Sequence, residues 1–163
     1  MSKEKHLCQY YQYDFIDKML VTDAKYVGKY DFPMLRQNNP DLSDIVCWKP
    51  FNYLLGLKNP EVVGIHCFVD DYQFVRLRKN TSKYEEKIAK LPCFICTDFS
   101  IFRDANTDIN VEQVRKNRTM AYVMQKINHN TIPTAGFGGE DTWEWCFDGI
   151  PKHSTVAVTT NGI

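Results

Sequence analysis

Two short apolar runs, each ending on acid, constrain the fold of this chain more than any other feature. EVVGIHCFVDDYQF spans 61–74 and LPCFICTDFSIFRD spans 91–104. A near-continuous run of Val, Ile, Phe and Cys, without polar alternation, suits a strand buried on both faces, as in a parallel sheet. In open parallel sheets and barrels, ligands gather beyond the carboxyl ends of the strands. Asp70, Asp71, Asp98 and Ser100 stand at those ends.

The flanking sequence supplies the crossovers. IVCWKPFNYLL (45–55) reads as a short strand broken at Pro50, after the turn cluster NNPDLSD (38–44). TSKYEEKIAKL (81–91) reads as a helix, with Ser82 and Glu85 in a capping-box pattern. A longer helix is expected from about Val111 to Ile127, its narrow polar face made by Glu112, Arg115, Lys116, Thr119 and Lys126. Then come a strand TIPTA (131–135), a glycine turn GFGG (136–139), a helix from about Thr142 to Phe147 and a strand STVAVTT (154–160). This alternation predicts an α/β fold, a mainly parallel sheet with crossover helices, in the extreme a partial or incomplete TIM-like barrel. No repeat or long linker divides it, so 1–163 is read as one domain, with 1–37 as an aromatic-rich N-terminal arm and 45–163 as the α/β core. Tyr10, Tyr11, Tyr13, Phe15, Tyr26, Tyr30 and Phe32 give the arm its character.

Charge narrows the partners. Lys plus Arg and Asp plus Glu number 20 each, and neither half of the chain is a basic arm or an acidic tail. Binding to nucleic acid through phosphate attraction is therefore not supported. MSKEKHLCQYYQYDF lacks an apolar core of signal-peptide length, and no run approaches the ~20 apolar residues of a membrane span. With no membrane and no export signal, a cytoplasmic location with reduced cysteines is expected, and Cys47, Cys67, Cys93 and Cys96 read as small hydrophobes.

The sharpest chemical signal is the acid group. Asp70, Asp71 and Asp98, gathered at one end of the sheet, would divide acid and base roles or admit a divalent cation through oxygen ligands. No cofactor is named by the sequence, and no metal ligand set is assigned. Asn117, Arg118 and Gln125 fall within or beside the apolar arc of the long helix. A guanidinium there needs a partner, and a strand-end carboxylate is the expected one. GFGGEDTWEWCFDGIP resembles a phosphate cradle only superficially, since Glu140, Asp141, Glu144 and Asp148 would repel phosphate. Asp141 and Glu144 instead fit a capping box, and Trp143, Cys146, Phe147 and Ile150 are expected in the core. Cys93 and Cys96, three apart in a strand, point to opposite faces and lack a second pair, while His66 in an apolar strand reads as a core histidine.

HCFVDDYQF, TDFSIF, the RKNR of the long helix and CFDGIPKHSTVAV together resemble an uncharacterised phage and mobile-element family, domain of unknown function 4417. The resemblance covers about 50–162. It implies an intracellular protein of viral or mobile-element origin with an α/β, barrel-like fold, and it implies no reaction. The family's acid-tyrosine motif falls on Asp70, Asp71 and Tyr72, its Asp-Phe-Ser on Asp98, Phe99 and Ser100, and its Asn-Arg pair on Asn117 and Arg118. Tyr72, Ser100, Asn117 and Arg118 are accordingly the expected ligand-binding residues around the catalytic candidates. Thr97 replaces a common Pro and Phe137 a usual Trp. Relatives are also expected to continue beyond the last strand.

Two functions follow as expectations. One is metal-assisted or acid-base chemistry on a nucleotide or other phosphorylated ligand. The alternative is a non-catalytic protein that binds and inhibits a host factor, such as a defence or replication protein. The apolar STVAVTT strand is expected to be covered by a second protein chain, self or host, or by the aromatic arm.

Overall fold

The computed structural model describes residues 21–159. Tyr10, Tyr11, Tyr13 and Phe15 lie outside that range. The described part opens with a small antiparallel hairpin, β1 (Tyr26–Val27) and β2 (Phe32–Pro33). The central element is a four-stranded, wholly parallel sheet of β3 (Cys47–Pro50), β4 (Val63–Cys67), β5 (Phe94–Thr97) and β6 (Thr131–Ile132), in that spatial order. This is the α/β architecture the apolar runs predict. Among the described residues the sheet does not close into a barrel.

Strands adjacent in sequence are adjacent in space, so every crossover steps the same way. Right-handed crossovers then bring all the helices to one face. Two helices, α1 (Asp71–Lys79) and α2 (Ser82–Ala89), join β4 to β5, and α3 (Thr107–Ile127) joins β5 to β6. Val63, Ile65 and Cys67 of β4 and Phe94 and Cys96 of β5 share one core with Phe74, Leu77, Tyr84, Ile88, Met120 and Met124 of those helices. Each such side chain contributes roughly 1.5–3 kcal/mol on burial. On the other face the Trp48 ring lies against Gly64, where a Cβ would come within 2.5 Å of ring Cε3. That close approach is what the glycine provides.

YQFVRLRKN folds as α1, burying Phe74 and Leu77 three residues apart. Because α1 turns almost directly into α2, Thr81 takes helical backbone angles and its hydroxyl donates to the Leu77 carbonyl at 3.1 Å. The capping box expected from Ser82 and Glu85 does not form, and Ser82 instead donates to Asn80 Oδ1.

α3 starts at Thr107, earlier than Val111, and its buried amides organise the loops. Asn110 binds both N–H and C=O of Phe102, at 3.0 and 2.8 Å. Gln125 does the same for Arg36, at 2.9 and 3.1 Å. Asn128, just past the helix, donates to the carbonyls of Ile88 and Leu91. Each amide pairs where it would otherwise be buried at a cost of a few kcal/mol.

Three local expectations change. Among the described residues, STVAVTT gives a single parallel bridge, Ala157 with Thr134, because β6 is cut short by Pro133, which has no N–H, and Thr155 N–H is drawn to the Asn38 carbonyl at 2.9 Å. The segment after the glycine turn is a 3-10 turn (Glu140–Thr142) followed by irregular turns, not a helix over 142–147. Its aromatic faces therefore differ: Trp143 and Phe147 are exposed, while Trp145 and Cys146 are buried with Phe32, Val111 and Val114. Cys47, on the edge strand β3, is exposed and not packed as a small hydrophobe.

Candidate site at the strand ends

The carboxyl ends of β4 and β5 bring Asp71, Asp98 and Ser100 together. Asp71 opens α1, and its carboxylate accepts from Ser100 N–H at 3.2 Å and Ser100 Oγ at 3.1 Å. This bidentate contact ties the loop after β5 to the start of α1. Asp98 is half-buried just beyond β5. Burial, reinforced by the negative charge of Asp71, raises its carboxyl from 3.8 to about 6, and Thr134 lies beside it. The Thr134 hydroxyl donates to the Thr97 carbonyl at 2.6 Å.

Asp70 is turned elsewhere. Its Oδ2 accepts from Gln73 at 3.1 Å, Gln73 meets Asn52, and Asn52 accepts from Arg76 at 3.0 Å. Tyr72 is 74% exposed beside this network. The electrostatic partner of Asp98 is thus Asp71. Among the described residues, no group of three or more His, Cys, Asp or Glu side chains is placed to hold a metal ion.

Asn117 and Arg118 shape the site from behind. Asn117 accepts from Phe99 N–H at 2.8 Å and donates to its carbonyl at 3.2 Å, which fixes the backbone between Asp98 and Ser100. Asn117→Leu should therefore lower stability by about 2 kcal/mol, by orphaning two buried main-chain groups. Denaturant unfolding checks this, and an unchanged midpoint would show that the clamp is dispensable.

Arg118 corrects a sequence expectation. Its guanidinium, 1% exposed, reaches no strand-end carboxylate but donates to the carbonyls of Asp148 (2.8 Å), Thr134 (2.8 Å) and Cys146 (2.5 Å). The reason lies in the turn CFDG. Gly149, at φ +83°, ends it where a Cβ would meet the Pro33 carbonyl at 2.6 Å, and the last carbonyls of the turn face the planar donor fork. Burial lowers the Arg118 pKa to about 10.

Cys93 and Cys96 serve structure. Cys93 Sγ donates to the Asn130 carbonyl at 3.0 Å, Cys96 sits in the main core, and burial pushes both thiols up to about 12. His66 accepts Phe68 N–H on Nδ1 and is lowered by burial.

A cavity of about 380 Å³ adjoins the acid pair, lined by Ile101, Arg103, Phe137, Gly138, Gly139, Glu140 and Trp143. Gly136 lies between Ile101 of this lining and the acid pair: a Cβ there would be 3.2 Å from Ile101 Cδ1 and 3.9 Å from Asp98 Oδ1. Thr134, Gly136 and Arg103 were not legible as site residues. They converge through loops far apart in sequence, and none carries a motif. Another cavity, of about 420 Å³, is lined by Arg36, Tyr122, Gln125, Lys126, Ile127 and His129 at the C-terminal end of α3. It lies toward the opposite end of the sheet, away from the acids.

An open parallel α/β sheet with paired acids at its strand ends is the class that fold and site define. The family model for a domain of unknown function, DUF4417, matches residues 24–163, and the chain belongs to that family. Its curated relatives are phage proteins. The Gene 1 protein of Mycobacterium phage D29 is 29% identical over 136 residues, 82% of this chain and 49% of that protein. The Gene 1 protein of Mycobacterium phage L5 is 28% identical over 135 residues, 82% of this chain and 58% of that protein. The chain spans about half the length of the curated relatives it matches. No solved structure matches it. Among the described residues, no helix is long and apolar enough to cross a membrane.

Proposed function

We propose that this phage-family protein carries out acid-base chemistry on a small ligand, in the class of nucleotides and other phosphorylated compounds, at the carboxyl end of its sheet. The observation that carries this reading is the Asp71–Asp98 pair. Asp71 is fixed by two hydrogen bonds from Ser100, and burial of Asp98, reinforced by the Asp71 charge, lifts its carboxyl to about 6, into the range where enzymes work. Paired carboxyls made unequal by their surroundings are a recurrent way to separate acid and base roles. Asp98 is the proton donor and acceptor here, and Asp71 adds to the burial that raises its proton affinity. Asn117 and Arg118 hold the loops.

A melting-temperature screen of nucleotides and sugar phosphates tests the proposal. A ligand at a hundredfold excess over its Kd stabilises the fold by about 2.7 kcal/mol. That rise should appear in the native chain and vanish in Asp98→Ala. A rise of the same size in Asp98→Ala would refute the assignment.

One observation favours a second reading, binding of another protein chain. Val46, Trp48, Tyr53, Leu55 and Val62 are all exposed on and around the edge strand β3, and Val46 N–H is bonded to the Val62 carbonyl. Exposed apolar groups of this kind mark interfaces. Pull-down from host cells, repeated with Trp48→Glu, is the test, and identical capture by both forms would exclude this edge.

A further inference from the structure

We infer that the cavity beside Asp98 is a nucleobase site, which takes the planar ring of a nucleoside against Phe137 and Trp143. The inference rests on the proposed acid-base site and specifies the part of the ligand that enters first.

Four observations converge. The cavity lies near Asp98, because its lining residue Ile101 and the Asp98 carboxyl both fall within 4 Å of a Cβ built at Gly136. Its volume, about 380 Å³, falls in the range of small-molecule pockets. Two of its walls are exposed aromatic rings, Phe137 at 38% and Trp143 at 56%. Isolated side chains of this size exposed together offer stacking surfaces for a flat π system. Finally, Arg103 and Glu140 give the lining one cation and one anion, a donor set and an acceptor set suited to the polar edge of a heterocycle.

Phosphate fits this position poorly. Gly138 N–H, which a phosphate cradle would need, is already given to Thr142 Oγ1 at 3.0 Å. Glu140, Asp141 and Glu144 bring negative charge to the same loop. A nucleic-acid strand fits no better, since the chain has zero net charge and this end of the sheet is rich in acid. The structure therefore favours a base in the pocket, with any phosphate directed away from the glycine turn.

The test titrates adenosine, guanosine, cytidine, uridine and ribose 5-phosphate into the full chain, followed by calorimetry and tryptophan fluorescence. At least one nucleoside should bind saturably, and ribose 5-phosphate should not. Trp143→Ala should weaken binding roughly 5- to 150-fold, the loss of one stacking surface. Phe137→Ala should act in the same direction. Because Trp143 is more than half exposed, its removal leaves the core intact. Failure of all four nucleosides to bind at millimolar concentration would overturn the inference. So would equal binding in Trp143→Ala, or ribose 5-phosphate binding as tightly as a nucleoside. Nucleoside binding that persists in Asp98→Asn but weakens in Trp143→Ala upholds the pocket while counting against the role given to Asp98, so the two readings fail separately.

Discussion

Arg118→Met should destabilise the protein by about 3–5 kcal/mol, the largest effect expected of a single change here. Three main-chain carbonyls, those of Thr134, Cys146 and Asp148, would lose their donors. A buried acceptor left unpaired costs roughly 1–3 kcal/mol. Removing the buried cation returns part of this, since a guanidinium is itself expensive to desolvate. The carbonyls dominate because they are fixed in place by the turn that Gly149 closes. Arg115→Met is the comparison. Arg115 donates to the carbonyls of Tyr30 and Asp31 and lies over the Phe32 ring, yet it is only half-buried, so water replaces much of what it supplies. Its loss should cost about 1 kcal/mol. Urea unfolding of both variants checks the gap, and equal midpoints would contradict the role given to Arg118.

Asp98→Asn should do the opposite and stabilise the protein at neutral pH. The folded carboxyl keeps its proton to about pH 6, while the ordinary value is 3.8. The native state therefore binds protons more tightly than the unfolded chain across that window. Stability is greatest below the unfolded value, falls as pH rises through the window, and levels off above about 6. Asparagine removes the burden of a buried charge, so the gain at pH 7.5 should be about 2–3 kcal/mol and should disappear near pH 3.5. A residue kept at this cost to stability fits a functional site better than a structural one. A variant no more stable than the native chain at pH 7.5 would mean that Asp98 is not destabilised by its surroundings.

What the sequence made legible was whatever depends on side-chain pattern along one element. The apolar runs at 61–69 and 91–97 gave the parallel strands, and the acids after them gave the functional end of the sheet. The pairing of the DDY and DFS motifs is visible in hindsight as Asp71 bonded to Ser100. The motifs that carried the family resemblance are in fact partners of one another, since Asn117 holds Phe99 and Arg118 holds the turn CFDG. What stayed hidden depends on the main chain or on loops. A carbonyl carries no residue identity, so the sequence points Arg118 to a carboxylate when its partners are main-chain carbonyls. Pro133 shortens β6 in a way that one apolar run beside another does not reveal. A helical period puts Trp143 in the core, but the chain makes 3-10 and irregular turns there, and the ring is exposed. Arg103 lies 35 residues before Gly138, yet a Cβ at Gly138 would come within 3.4 Å of Arg103 Cα. Only the folded loops create that neighbourhood.

The acid-base assignment stands or falls on one number that needs no substrate. The Asp98 side-chain carboxyl can be followed by carbon NMR as pH is varied, in the native chain and in Asp71→Asn. A midpoint near 6 is predicted for the native chain, moving downward once the neighbouring charge is gone. A midpoint at the ordinary value of 3.8, or one that Asp71→Asn leaves in place, would contradict the pairing on which the proposed chemistry depends.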